Sequence, residues 1–179
     1  NAKKIIDQLP KKQKIIFAPD QHLGGYLNKI TGRNMVLWPG SCIVHETFSE
    51  KEIIKLKVRH ANSELIAHPE CPERILNHAD HIGSTSSLLK YVVTSESKKF
   101  IIATESHIIH QMKKNAPDKE FIAAPINDGK CSCSTCPYME LNTMEKLYEC
   151  LENENPTISI NSDLINNAKK PLIRMLEMS

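Results

Sequence analysis

Aromatic side chains make up only 5% of the 179 residues, with a single Trp, and neither sign of charge dominates: 23 Lys and Arg face 21 Asp and Glu, a net +2. Nucleic-acid binding calls for a clustered basic stripe with interleaved aromatics, whereas the basic residues here are scattered in pairs such as Lys11-Lys12 and Lys113-Lys114. No nucleic-acid partner is expected. Long apolar runs are also missing: Phe100 to Ala103 is cut short by polar neighbours, far from the roughly 18 to 20 residues that span a bilayer. No membrane partner is expected either, and the chain reads as soluble. The opening Asn1-Ala2-Lys3-Lys4-Ile5-Ile6 lacks both an initiator Met and an apolar signal core, so an upstream start and no secretory leader are expected. Six glycines exclude a collagen-like chain, and 40% hydrophobic residues exclude disorder and suffice for a sizeable core. Without a secretory context the six cysteines do not read as a disulfide scaffold; metal or cluster ligation is their leading use.

Short β-branched runs alternate with longer segments of helical periodicity, the pattern of α/β proteins with parallel sheets covered by helices. Strands are expected at Lys14 to Ala18, Met35 to Trp38, Glu64 to Ala67, His81 to Gly83, Phe100 to Ala103 and Glu120 to Ala123. Helices are expected at Asn1 to Leu9, His22 to Thr31, Ser49 to His60, Pro72 to Asn77, Ser86 to Glu96, Ser106 to Asn115, Asn142 to Glu152 and Ser162 to Met178. In the last, Leu164, Ala168, Leu172 and Leu176 draw an apolar stripe, and Pro171 is a candidate break. Three parts follow: an αβ block at 1–48 that holds only two strands and lacks an opening one, a second αβ block at 49–130, and a cysteine-bearing loop with a helical tail at 131–179.

In open α/β sheets ligands sit at the carboxyl ends of strands, so the turns there carry the candidate chemistry. Trp38-Pro39-Gly40-Ser41-Cys42-Ile43-Val44-His45 offers Gly40 for close backbone approach and Cys42 as a ligand or a small buried hydrophobe, while His45 reads as a packing or capping residue. His68-Pro69-Glu70-Cys71-Pro72 sets an imidazole and a carboxylate two residues apart, suited either to moving protons or to a rigid polar turn at a helix start. Gly83-Ser84-Thr85-Ser86-Ser87 combines hydroxyls with the free N–H groups of a helix start, an anion site or plain capping. Thr104-Glu105 reads as a cap with a first-turn carboxylate. Finally, Cys131-x-Cys133-x-x-Cys136 could hold a zinc ion or an iron-sulfur cluster, form a redox pair, or stay unligated.

Taken in order, six segments resemble the signature segments of the quinolinate synthase family. They are Phe17-Ala18-Pro19-Asp20 with Leu23 and Tyr26, Trp38 to His45, His68-Pro69-Glu70-Cys71, Gly83-Ser84-Thr85-Ser86, Thr104-Glu105, and Cys136-Pro137-Tyr138-Met139. The resemblance implies three pseudo-symmetric, three-layer αβα domains around a central 4Fe-4S cluster, each giving one cysteine, with one iron left open to substrate. Here it implies that Cys42 and Cys136 are two of the cluster ligands, that the third lies upstream of Asn1 in a missing first domain, and that Cys71, Cys131 and Cys133 are bystanders. It further implies His68 and Glu70 as catalytic and substrate-binding residues and Thr85 as the holder of a substrate carboxylate. The implied reaction, a step of NAD biosynthesis in the cytoplasm, condenses iminoaspartate with dihydroxyacetone phosphate to quinolinate with loss of phosphate and water. L-aspartate oxidase is the implied supplier of iminoaspartate.

Two departures accompany the resemblance. Many family members carry Cys-x-x-Cys-x-x-Cys before Pro-Tyr-Met, whereas this sequence has Lys130 and Cys131. With only Cys42 and Cys136 as ligands, the chain alone is expected to hold no intact cluster and to be inactive. The competing expectation is a non-catalytic interaction module in which Cys131, Cys133 and Cys136 bind structural zinc.

Overall fold

The computed structural model describes residues 2–126 and 134–179. It is an α/β molecule with two short, wholly parallel sheets. The first sheet pairs β1 (Ile16–Phe17) with β2 (Val36–Leu37), preceded by α1 (Ala2–Gln8) and bridged by α2 (Gln21–Thr31). Its alternate residues separate cleanly. Phe17 and Leu37 join Ile15, Leu23 and Ala2 around the buried Ile6, Leu27 and Met35, whereas Ile16 and Val36, opposite each other in register, are 77% and 61% exposed. Gly24 lets α2 lie against this sheet, because a Cβ there would come within 2.5 Å of Leu37. Arg33 closes the end of α1, donating to the carbonyls of Ile6, Leu9, Pro10 and Lys11.

A four-residue helix, α3 (Ile43–Glu46), and α4 (Glu50–Arg59) lead into the second sheet. Its strands are β3 (Glu64–Ala67), β4 (His81–Ile82), β5 (Lys99–Ala103) and β6 (Glu120–Ala123), in the order β4-β3-β5-β6. The period-two alternation of β3 and β5 sorts their residues between two cores. Leu65, Ala67, Ile101 and Ala103 face Phe48, Ile53, Ile75 and Leu76 on the side of α4 and α5 (Glu73–Leu76), whereas Ile66, Phe100 and Ile102 face Leu88, Val92 and Met112 on the side of α6 (Thr85–Thr94) and α7 (Ile108–Asn115). Both faces are covered, giving three layers, and the near-continuous apolar strands are what a doubly buried parallel sheet requires.

All six expected strands are present: β3 and β6 with the expected bounds, β5 one residue longer, and β1, β2 and β4 trimmed to two residues each. Two features differ from expectation. The short α3 carries too few residues to show a period, and α8 (Met144–Asn153) is followed by α9 (Ser162–Glu177), which runs unbroken through Pro171. The α9 stripe is not buried: Leu164, Leu172 and Leu176 stay exposed. No helix among the described residues is long and apolar enough to cross a membrane.

Candidate active site

In the second sheet the chain leaves β3 towards β4 on one side, and β5 and β6 are added on the other. The crevice between the carboxyl ends of β3 and β5 is therefore the topological switch point, where α/β sheets bind ligands. A cleft of about 500 Å³ opens there, and its walls include His45, His68, Glu70, Thr85, Thr104 and Glu105. His68 and Glu70 follow the end of β3, and the His68 amide donates to Ala103 O at the end of β5, 3.1 Å away. Thr85 stands at the first turn of α6, behind the N-cap Ser84. Gly83, just before it, has no room for a side chain, since a Cβ would come within 2.5 Å of Ser87 Oγ.

His45 lies at the centre of the cluster. It is 6% exposed, stacks on His68 with ring centroids 4.8 Å apart, and places Nε2 3.0 Å from Thr104 Oγ1. Its Nδ1 lies 3.3 Å from Glu70 Oε2, yet the alignment is not that of a hydrogen bond, and this buried nitrogen has no other partner among the described residues. The Glu70 amide donates to His68 Nδ1 at 3.3 Å, so a neutral His68 ring carries its proton on Nε2. Burial, and then the neighbouring His45, hold the His68 pKa below its ordinary value against the pull of Glu70 and Asp20. The polar contact with His45 lowers the Glu70 pKa most; burial opposes it, and the charges of His68 and His45 assist. At neutral pH the pair is an uncharged imidazole beside a carboxylate.

Cys42 precedes α3, half-buried, with its amide donating to Asp20 Oδ2 at 3.0 Å. The other oxygen of Asp20 caps α2 through the Leu23 amide at 2.7 Å. Cys136, also half-buried, is bracketed by two residues fixed at the same end of the sheet. Ser134 Oγ donates to Thr104 O at 3.0 Å, and Met139 lines the cleft. Cys71 is buried and donates to Ala103 O at 3.3 Å, and burial drives the pKa of its thiol far above the ordinary range. Cys150 sits exposed on α8. Cys131 and Cys133 lie outside the described residues, and so does the three-cysteine zinc arrangement as a whole.

Two readings of single residues change and one is extended. His45 neither caps nor merely packs. It touches both the carboxylate and the second imidazole. Thr104 caps no helix: α7 starts later, at Ile108, and the Thr104 hydroxyl serves His45. Gly40 also makes room for the Trp38 ring, which lies 3.1 Å from where a Cβ would stand. The link between Asp20 and Cys42 leaves no trace in the sequence; an Asp directly before a helix start is its one signal, and that signal reports only the cap.

The switch-point cleft, with imidazole, carboxylate and hydroxyl groups converging on it, has the position and the lining that α/β proteins use for small polar ligands. Residues 1–177 match the family described as quinolinate synthetase A protein, and the chain belongs to that family. Over all its residues it is 58% identical to the quinolinate synthase of Microcystis aeruginosa and 55% identical to that of Chloroherpeton thalassium, covering 56% of each. It is 54% identical to the quinolinate synthase of Cyanophora paradoxa, covering 54% of it. The chain thus spans about half the length of the curated relatives it matches.

Proposed function

We propose that this chain supplies the acid–base wall and two cluster ligands of a quinolinate synthase, which condenses iminoaspartate with dihydroxyacetone phosphate to quinolinate, releasing phosphate and water. The observation that carries this is the convergence of His68, Glu70 and Thr85 on one cleft in a chain of this family. Glu70, ionised, accepts a proton from the carbon or nitrogen acid of the condensing substrates. His68, neutral with its proton on Nε2, donates a hydrogen bond to a substrate oxygen and polarises it during dehydration. Thr85 and the first free N–H groups of the ten-residue α6 hold a substrate carboxylate.

Cys42 and Cys136, half-buried thiols on loops at the carboxyl ends of the strands, suit a 4Fe-4S cluster, and the third thiolate is assigned to the part of the protein this chain does not span. When bound, such a cluster with one open iron supplies Lewis-acid polarisation of a substrate oxygen. The chain alone is therefore expected to bind far less than a stoichiometric cluster when iron and sulfide are counted after anaerobic reconstitution. Joined to the part of the Microcystis aeruginosa relative that it does not span, it is expected to form quinolinate. In that protein Glu70→Gln should lower kcat about 100-fold or more, and Thr85→Val should mainly raise KM for iminoaspartate. Unchanged turnover in Glu70→Gln would refute the assignment.

A further inference from the structure

Cys42, His45 and Glu70 form a donor set that the acid–base roles leave unexplained. One donor atom from each lies within 4.8 Å of the others. His45 Nε2 is occupied by Thr104, so a ring protonated there turns the bare lone pair of Nδ1 towards a carboxylate oxygen at 3.3 Å. Two electron-rich atoms at that distance, one sealed from water and without a hydrogen bond among the described residues, are an unfavourable pair unless a positive charge lies between them. A shared proton fits poorly, because the contact is off the hydrogen-bond line. A metal cation fits better, since its bonds need only the lone pairs to converge on one point.

We propose that Cys42, His45 and Glu70 bind a single zinc-class divalent ion, with a water molecule as the fourth ligand on the cleft side, whenever Cys42 is not otherwise engaged. One thiolate, one imidazole and one carboxylate are a borderline donor set, wrong for calcium or magnesium and right for zinc or its neighbours. Zinc bond lengths place tetrahedral donors about 3.3 to 3.6 Å apart, and His45 Nδ1 and Glu70 Oε2 are already 3.3 Å apart. Only the Cys42 thiol, half-buried ahead of the four-residue α3, has to move, by on the order of 1 Å. The surrounding shell is partly in place: Thr104 Oγ1 lies 3.0 Å from His45 Nε2, and the His68 ring stacks on the His45 ring. The local charge favours a cation too. Asp20 and Glu105 add carboxylates, and no Lys or Arg lines the cleft among the described residues. The site does not depend on the synthase assignment. It shares Cys42 with the cluster, so the two occupancies exclude each other, and a zinc-loaded chain is closed to cluster assembly.

The test is anaerobic titration of the reduced 179-residue chain with Co2+, read by absorption, and with Zn2+, read by calorimetry. The expected result is one ion per chain with a thiolate-to-cobalt charge-transfer band and the strong visible bands of a four-coordinate ion. Cys42→Ser should remove the charge-transfer band and, like Glu70→Gln, weaken zinc binding more than about 100-fold, while Thr104→Val should weaken it by about 10-fold. Glu70 is partly exposed, so Glu70→Gln reports on ligation with the thermal midpoint essentially kept, even where His45→Gln disturbs the core. A Cys131→Ser/Cys133→Ser/Cys136→Ser variant should bind as the parent does. Binding that survives Cys42→Ser and vanishes in that triple variant, or cobalt without a charge-transfer band, would overturn the proposal. Quinolinate formation by the joined protein is a separate readout, so either assignment can fail alone.

Discussion

The two sheets are made of the same kind of residue and meet opposite fates. In the second, every residue of β5 after Lys99 is fully buried between α4 and α5 on one face and α6 and α7 on the other. In the first, Phe17 and Leu37 are covered by α1 and α2, while Ile16, Val36 and Trp38 face outward. Apolar side chains in register on a bare sheet face gain nothing from folding, so that face adds little to the stability of this chain. The second unit is sealed on both faces of its sheet; the first is held largely by one small core of Ile6, Leu27 and Met35 and by its tethers. The site nevertheless draws on both, since α3 and the turn after it, just beyond the first sheet, bring His45 against His68 and Phe48 into the core of the second unit.

The largest expected effect tests that contrast directly. Phe100→Ala, in the sealed core, should cost about 3 to 5 kcal/mol in urea unfolding, and Ile16→Ala should stay within about 0.5 kcal/mol. Comparable losses would erase the distinction. Next, Asp20→Ala removes a helix cap and a tether together and should cost about 1 to 3 kcal/mol, with Asp20→Asn recovering part of it. Hydrogen exchange should then show the amides of α1 to β2 opening at lower free energy than those of β3 and β5.

The smallest effect is set by pH and belongs to the second unit. His81 stacks on Tyr91 with centroids 4.0 Å apart, and burial holds its pKa below the ordinary value against the pull of Glu64. Protonation therefore favours the unfolded chain. The stability this group gives is complete above about pH 6.5 and is lost as pH falls through that value towards the folded one. Unfolding midpoints measured from about pH 7.5 down to about pH 5.5 should decline less steeply in His81→Gln. An unchanged slope would remove His81 from the account.

The runs Leu65-Ile66-Ala67 and Phe100 to Ala103 declared the buried sheet, because a strand covered on both faces must be apolar at every position. The turn bearing His68 and Glu70 was legible for the same reason: it follows such a strand. His45 was not. Its partner Thr104 is 59 positions away, and a helix of four residues leaves no periodic trace. Pro171 misled in the other direction, since α9 passes through it. Cys71 looks as available as Cys42 in sequence, and only the burial beneath the β5 carbonyl separates them.

Asp20 deserves a mechanical reading. One of its oxygens grips the first turn of α2 and the other grips the backbone of Cys42, so a single carboxylate rivets a helix to the start of the next loop. Because α2 also rests on the first sheet through Gly24, that one carboxylate ties the Cys42 backbone to the helix that covers the sheet, and the two cannot part without giving up a hydrogen bond.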